Sequence, residues 1–129
     1  MTFTVLARDQ LAWITRPHEA GEPARHVAEL SELAGLEHTR ANPWRYEPGA
    51  TGRRHRHRDQ EETFVPVVGT LTMYLGEPPA RHDVEVGGII HVAPGTPLQS
   101  ANHGDTDLLV HVYGYPPEDE NAELLPSAV

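Results

Sequence analysis

The chain has 129 residues, with 19 acidic against 10 basic side chains and a formal charge of −9 at pH 7. That size suits one domain around one core, and the acidic balance argues against nucleic acid or an anionic membrane as partner, because neutralising phosphates requires surplus basic charge. Every basic residue is arginine and cysteine is absent, which excludes Schiff-base chemistry, thiol catalysis, cysteine-ligated zinc and disulfides.

The first stretch, MTFTVLARDQLAWITRPHEA, lacks a signal-type apolar run, and nothing in the chain approaches the ~20 apolar residues of a membrane span. A soluble cytoplasmic protein is the expectation. EPARHVAELSELAG, residues 22–35, is the one predicted helix: Val27, Leu30 and Leu33 or Ala34 recur at helical spacing, and Gly35 stands where a helix ends. From about residue 39 the pattern turns to short strands. TRANPWRYE alternates Trp44 and Tyr46 with polar neighbours, and PGATG at 48–52 reads as a turn.

ETFVPVV at 62–68 and TLTMYL at 70–75 flank Gly69 and predict a hairpin. Pro66 cannot donate to a ladder, so it marks an edge or a bulge. DVEV at 83–86, IIHVA at 89–93, LQSAN at 98–102 and LLVHVY at 108–113 come next, between glycine- and proline-rich turns, and the acidic tail PPEDENAELLPSAV reads as frayed at its end. Seven or eight short strands at regular intervals predict an all-β sandwich or barrel.

RRHRHRDQEETF, residues 53–64, is where chemistry concentrates. Strand side chains alternate faces, so His55 and His57 share one face and Arg56 takes the other. Two imidazoles so placed suit a divalent ion. Glu62 lies at an odd offset from His57, so the intervening Arg58, Asp59 and Gln60 must turn or bulge if it is to join them. The flanking arginines read as partners of neighbouring acids or as a patch that steers an anion, the first weighing more. Trp44, Tyr46, Phe64, Met73, Tyr74 and Tyr113 read as wall rather than catalyst, and Gln60 and Gln99 as polar contacts near the cavity mouth.

Gly49, His55, His57, Glu62 and Gly69 are separated by five, one, four and six residues. This spacing resembles the first motif of the cupin superfamily at every fixed position. GGIIHVAPGTPLQSAN resembles the second motif in part: Gly87, Gly95 and Asn102 match, while Ala93 replaces its proline and Leu98 its histidine. The resemblance implies a small antiparallel jelly-roll β-barrel with the site inside it. Placed on this chain, a single domain over 1–129 has its barrel core at about 40–115, an N-terminal segment 1–39 with the short helix, and the acidic tail 116–129.

The resemblance also implies one divalent metal ion, iron, manganese, nickel or zinc, held by His55, His57 and Glu62, with Glu62 either ligand or general base. The ligand position that falls on Leu98 is lost. Three explanations stay open: a three-ligand set with free coordination positions, a substitute from His91 or His111, or a cavity without metal that binds an organic ligand. The additional cavity residues are therefore His91, His111, Gln60 and Leu98. A metal-dependent enzyme acting on a small molecule is the first expectation, with dioxygenase-like chemistry leading because the ligand set leaves open coordination positions and isomerase, cyclase or lyase chemistry close behind it. A non-catalytic binding or sensing cupin is the alternative, and a homodimer is implied by the resemblance.

Overall fold

The computed structural model describes residues 2–118 and 122–129. Its strands are β1 (Trp13–Thr15), β2 (Arg25–Ala28), β3 (Arg40–Tyr46), β4 (His55–Arg56), β5 (Glu61–Val68), β6 (Leu71–Leu75), β7 (Ala80–Val84), β8 (Ile90–Val92), β9 (Leu98–Ala101), β10 (Leu108–Tyr115) and β11 (Glu123–Leu124), joined by a short α-helix, α1 (Leu30–Ala34), and a 3-10 turn at Arg8–Gln10. They form two antiparallel sheets, one ordered β1-β2-β3-β10-β5-β8 and the other β11-β4-β9-β6-β7. This is the all-β arrangement expected from the strand count and turns, and it fits the jelly roll that the resemblance implies.

Both sheets feed one core. Phe64, Leu108 and Val110 come from the first sheet and Leu71, Met73 and Leu98 from the second, all 5% exposed or less. Alternation along β5 explains how this strand serves both core and site: Glu62, Phe64 and Pro66 are buried while Thr63, Val65 and Val67 between them are less so. Pro66 sits at a bulge, since the pairing of β10 with β5 slips between Leu109 and Val110, which oppose Val68 and Pro66. The missing N–H therefore falls where the ladder is already interrupted.

Three expectations need correction. The predicted helix over 22–35 is a strand followed by a single helical stretch: Arg25–Ala28 pair with β1 on one side and β3 on the other, and only residues 30–34 are helical, ending at Gly35 in the left-handed conformation. Apolar residues at helical spacing over so short a run carry less weight than two neighbouring strands seeking partners.

The hairpin around Gly69 does not form. β5 pairs with β10 and β8, whereas β6 pairs with β7 and β9, so the chain crosses from one sheet to the other at Gly69. Gly69 has φ +82°, and an added Cβ would lie 3.0 Å from the Asp107 carbonyl oxygen, so the crossing requires glycine on both counts.

The tail is the third. Part of it, Asp119 to Asn121, lies outside the described residues, but residues 122–129 are docked rather than frayed. Glu123 and Leu124 pair with Arg56 and His55, Leu125 N–H donates to the Arg54 carbonyl at 2.9 Å, and Ala128 N–H donates to Gln99 Oε1 at 2.7 Å. Gln99 thus fastens the tail, away from the cavity mouth expected for it.

His26 is buried, 8% exposed. It donates Nε2–H to Glu47 Oε2 at 2.7 Å, and its Nδ1 bonds the Thr15 hydroxyl at 2.9 Å. The His26 bond, then the Ala24 N–H, hold the Glu47 carboxyl below its ordinary 4.5. A depressed carboxyl stabilises above its unfolded pKa and loses that contribution as pH falls through the folded value. Glu47→Gln should therefore lower the melting temperature at pH 7, and the gap to the parent protein should close in acid, below pH 4.5. Leu108→Ala, at a fully buried position, should cost about 2–5 kcal/mol in urea denaturation.

Candidate metal centre

β4 carries His55, His57 follows it directly, Glu62 stands near the start of β5, and residues 58–59 bend between them. The bend resolves the odd offset of Glu62, because β5 restarts with its own alternation and turns Glu62 inward. The Gly95 N–H donates to the His57 carbonyl at 2.8 Å and helps hold the bend. His55, His57 and Glu62 each offer one ligand atom, all within 4.8 Å of one another. Glu62 Oε1 lies 2.9 Å from His57 Nε2 and 3.9 Å from His55 Nε2.

The other face of each ring is tied down. His55 Nδ1 is 2.8 Å from the Arg53 carbonyl oxygen, which can only accept, so Nδ1 carries the proton and Nε2 of the neutral ring a lone pair. His57 Nδ1 donates to Glu118 Oε2 at 2.9 Å, an arrangement that orients a ligating imidazole and raises its basicity. Glu118 also accepts the N–H groups of Arg58 at 3.0 Å and Asp59 at 2.7 Å. Burial pushes the Glu118 carboxyl up, but the Asp59 N–H, the His57 ring and the Arg58 N–H together outweigh it and hold it below its ordinary value.

The two histidines differ in charge preference. Burial lowers the pKa of His55, and although the Arg53 carbonyl and Glu62 oppose this, the nearby charges of His57 and Arg25 help leave it below its ordinary value. Burial lowers His57 too, yet Glu62 and Glu118 on either side carry it above its ordinary value. His57 thus attracts positive charge between two carboxylates. Glu62 Oε1 is buried and, despite its 2.9 Å approach to His57, has no hydrogen-bond donor in proper geometry. An orphaned buried carboxylate oxygen facing two imidazole Nε2 atoms is a set of electron-pair donors in want of a cation, and the residues fit a divalent ion.

Gln60 closes the site from below. Its Oε1 accepts the Glu118 N–H at 3.0 Å, which turns its Nε2 toward His57 Nε2 at 3.5 Å. Gly114 makes room: an added Cβ there would fall 2.5 Å from Gln60 Cδ.

His55, His57, Glu62, Gln60 and Leu98 line one cavity of about 630 Å³. Leu98 pairs in register with His55 across β9 and β4 and presents an apolar wall at 2% exposure. His91 and His111 lie elsewhere. His91 is exposed between buried Ile90 and Val92 and bonds Thr63 at 3.1 Å, and His111 alternates with the cavity-lining Val110 and Val112. The two-residue period of their strands sends both to the outer face, which corrects their expected place in the cavity. Glu118 is the residue that sequence reasoning missed. It lies in an acidic tail with no pattern of its own, and only its return across β4 reveals it.

Residues 43–113 match the family described as Cupin domain, and the chain belongs to that family. Similar solved structures include a sugar phosphate isomerase of the cupin superfamily from Silicibacter pomeroyi, 23% identical with TM-score 0.74, covering 88% of this chain and 76% of that one. The polyketide cyclase RemF from Streptomyces resistomycificus is 15% identical with TM-score 0.77, covering 98% and 88%. A predicted oxalate decarboxylase from Thermotoga maritima is 15% identical with TM-score 0.75, covering 88% and 100%. At these identities the likeness is one of fold. No curated protein matches the sequence significantly.

Glu118→Ala should weaken divalent-metal affinity by about 10–100-fold, because His57 loses the acceptor that orients it. Titration of the apoprotein with a metal indicator, beside circular dichroism to show an intact fold, reads the effect.

Proposed function

We propose that the protein is a metal-dependent enzyme in which His55, His57 and Glu62 hold one divalent ion and a small organic molecule reacts in the adjoining cavity. The observation that carries this reading is the orphaned Glu62 Oε1 facing both histidine Nε2 atoms. A bound divalent ion would supply Lewis acidity, polarising a substrate oxygen at a coordination position that Leu98 leaves free. Of the reaction classes such a site serves, isomerase, cyclase or lyase chemistry on a carbonyl compound is favoured over dioxygenase-like chemistry; it draws support from the isomerase and the cyclase among similar folds. His55 and His57 would be oriented by the Arg53 carbonyl and by Glu118, and Glu62 serves as ligand. Asn42, Tyr46 and Ser100 place polar groups along the same cavity, where they would orient substrate.

Leu98 supports a second reading, a non-catalytic small-molecule binder, since it removes a ligand and adds an apolar wall. The two readings part on metal. Protein purified without chelators should carry near-stoichiometric metal by mass spectrometry, lost in the His55→Ala, His57→Ala double variant and retained in His91→Ala. Absence of metal in the parent protein, even after incubation with Fe(II), Mn(II), Ni(II) and Zn(II), would leave the binding module as the better account. Oxygen uptake by the iron-loaded protein would move the chemistry to the dioxygenase class. A cytoplasmic homodimer is part of the same proposal by family resemblance, and sedimentation velocity tests the dimer.

A further inference from the structure

The chain carries almost twice as many acids as arginines, yet not every guanidinium has a carboxylate partner. Among the described residues Arg45, Arg54, Arg56 and Arg81 have one: Asp107, Glu77, Glu123 and Asp83 respectively. None of these four lines the cavity. The arginines that do are Arg16, Arg25, Arg40 and Arg53, and among the described residues none has a carboxylate within ion-pair distance. Arg40 is committed to a backbone contact, donating to the Glu118 carbonyl at 2.7 Å.

Arg16 and Arg25 are the informative pair. The Arg16 N–H donates to the Arg25 carbonyl at 2.8 Å, directly after the pairing of Thr15 with His26, so Arg16, one residue past β1, stands opposite Arg25 at the start of β2 and shares its face. Like charges directly opposite across strands oppose folding. Both are partly buried, which sharpens the repulsion. The Arg25 guanidinium carbon lies 5.3 Å from the Trp44 ring centroid and 5.8 Å from that of Tyr46. Stacking of this kind uses the flat face of the guanidinium and leaves its in-plane N–H donors available for an oxyanion. Arg25 is also near enough to the metal-ligand cluster for its charge to act on His55.

We infer that the mouth of the cavity is a recognition site for an oxyanion, a phosphate or carboxylate carried by the small molecule that reacts at the metal centre, with Arg16 and Arg25 as its contacts and Arg53 beside them. The inference rests on the proposed function for its substrate but not for its anion site. An anion between Arg16 and Arg25 relieves their repulsion, and its charge orients the rest of the molecule toward His55, His57 and Glu62, which line the same cavity. In an acidic protein such a mouth also provides the local positive field that an anion needs on approach.

The test uses inorganic phosphate and a matched set of glucose 6-phosphate, glucuronate and glucose, titrated calorimetrically into metal-free and metal-loaded full-length protein. At least one oxyanion should bind the metal-free protein while glucose does not, and the phosphate or carboxylate preference names the group. The Arg16→Gln, Arg25→Gln double variant should bind at least about tenfold more weakly, the scale of losing charge-assisted hydrogen bonds, with metal content unchanged. Arg45→Gln, whose partner is Asp107 outside the cavity, should bind as the parent does. Oxyanions that bind no more tightly than glucose, or a double variant that binds like the parent with its fold intact by circular dichroism, would overturn the inference. Oxyanion binding in a protein that takes up no metal would sink the proposed function and leave the anion site standing.

Discussion

His57 stands between two carboxylates, and most of the site's architecture depends on that placement. Glu118 accepts its Nδ1–H and Glu62 approaches its Nε2, each at 2.9 Å. Holding an imidazole this way demands support from several parts of the chain. The bend at 58–59 supplies two N–H groups to Glu118, Gln60 accepts the Glu118 N–H, and Gly114 is bare so that Gln60 fits. Removing any one of these loosens the ring. The cost of burying Glu62 Oε1 without a donor is then intelligible as the cost of keeping a cation site ready.

The same logic sets the electrostatics of the cavity. Its interior concentrates electron-pair donors that favour a cation, while its mouth concentrates guanidinium groups that favour an anion. A molecule with an anionic end and a polarisable oxygen satisfies both. Outside the cavity, Arg54 and Arg56 of the cluster at 53–58 pair with Glu77 and Glu123, acids distant in sequence. The neighbour pairing expected there therefore holds in kind but not in partner, and Arg53 alone of that cluster faces the cavity.

Much of the fold was legible because turns and alternation are local. β3, β5, β6, β8, β9 and β10 fall close to their expected spans, and Pro66 marks a bulge. What depended on long-range pairing was not legible. β2 has a helix-like apolar spacing that two neighbouring strands override, and an apolar run on either side of Gly69 looks the same for a hairpin as for a crossing between sheets. The ligand triplet was readable from strand parity and from its match to a known motif. Glu118 was not, since it reaches His57 from 61 residues away. Parity could give His91 and His111 only even odds of facing inward, and the structure sends both out.

Under the proposed function, His55, His57 and Glu62 together would hold one divalent ion. A crystal structure of the protein grown with Co(II), with anomalous data at the cobalt edge, tests it most directly. The account predicts a single strong anomalous peak bonded to both Nε2 atoms and to a Glu62 oxygen, with Glu118 still accepting the His57 Nδ1–H. A peak on Nδ1 atoms or at surface carboxylates, or an empty cluster in cobalt-saturated crystals, would contradict it.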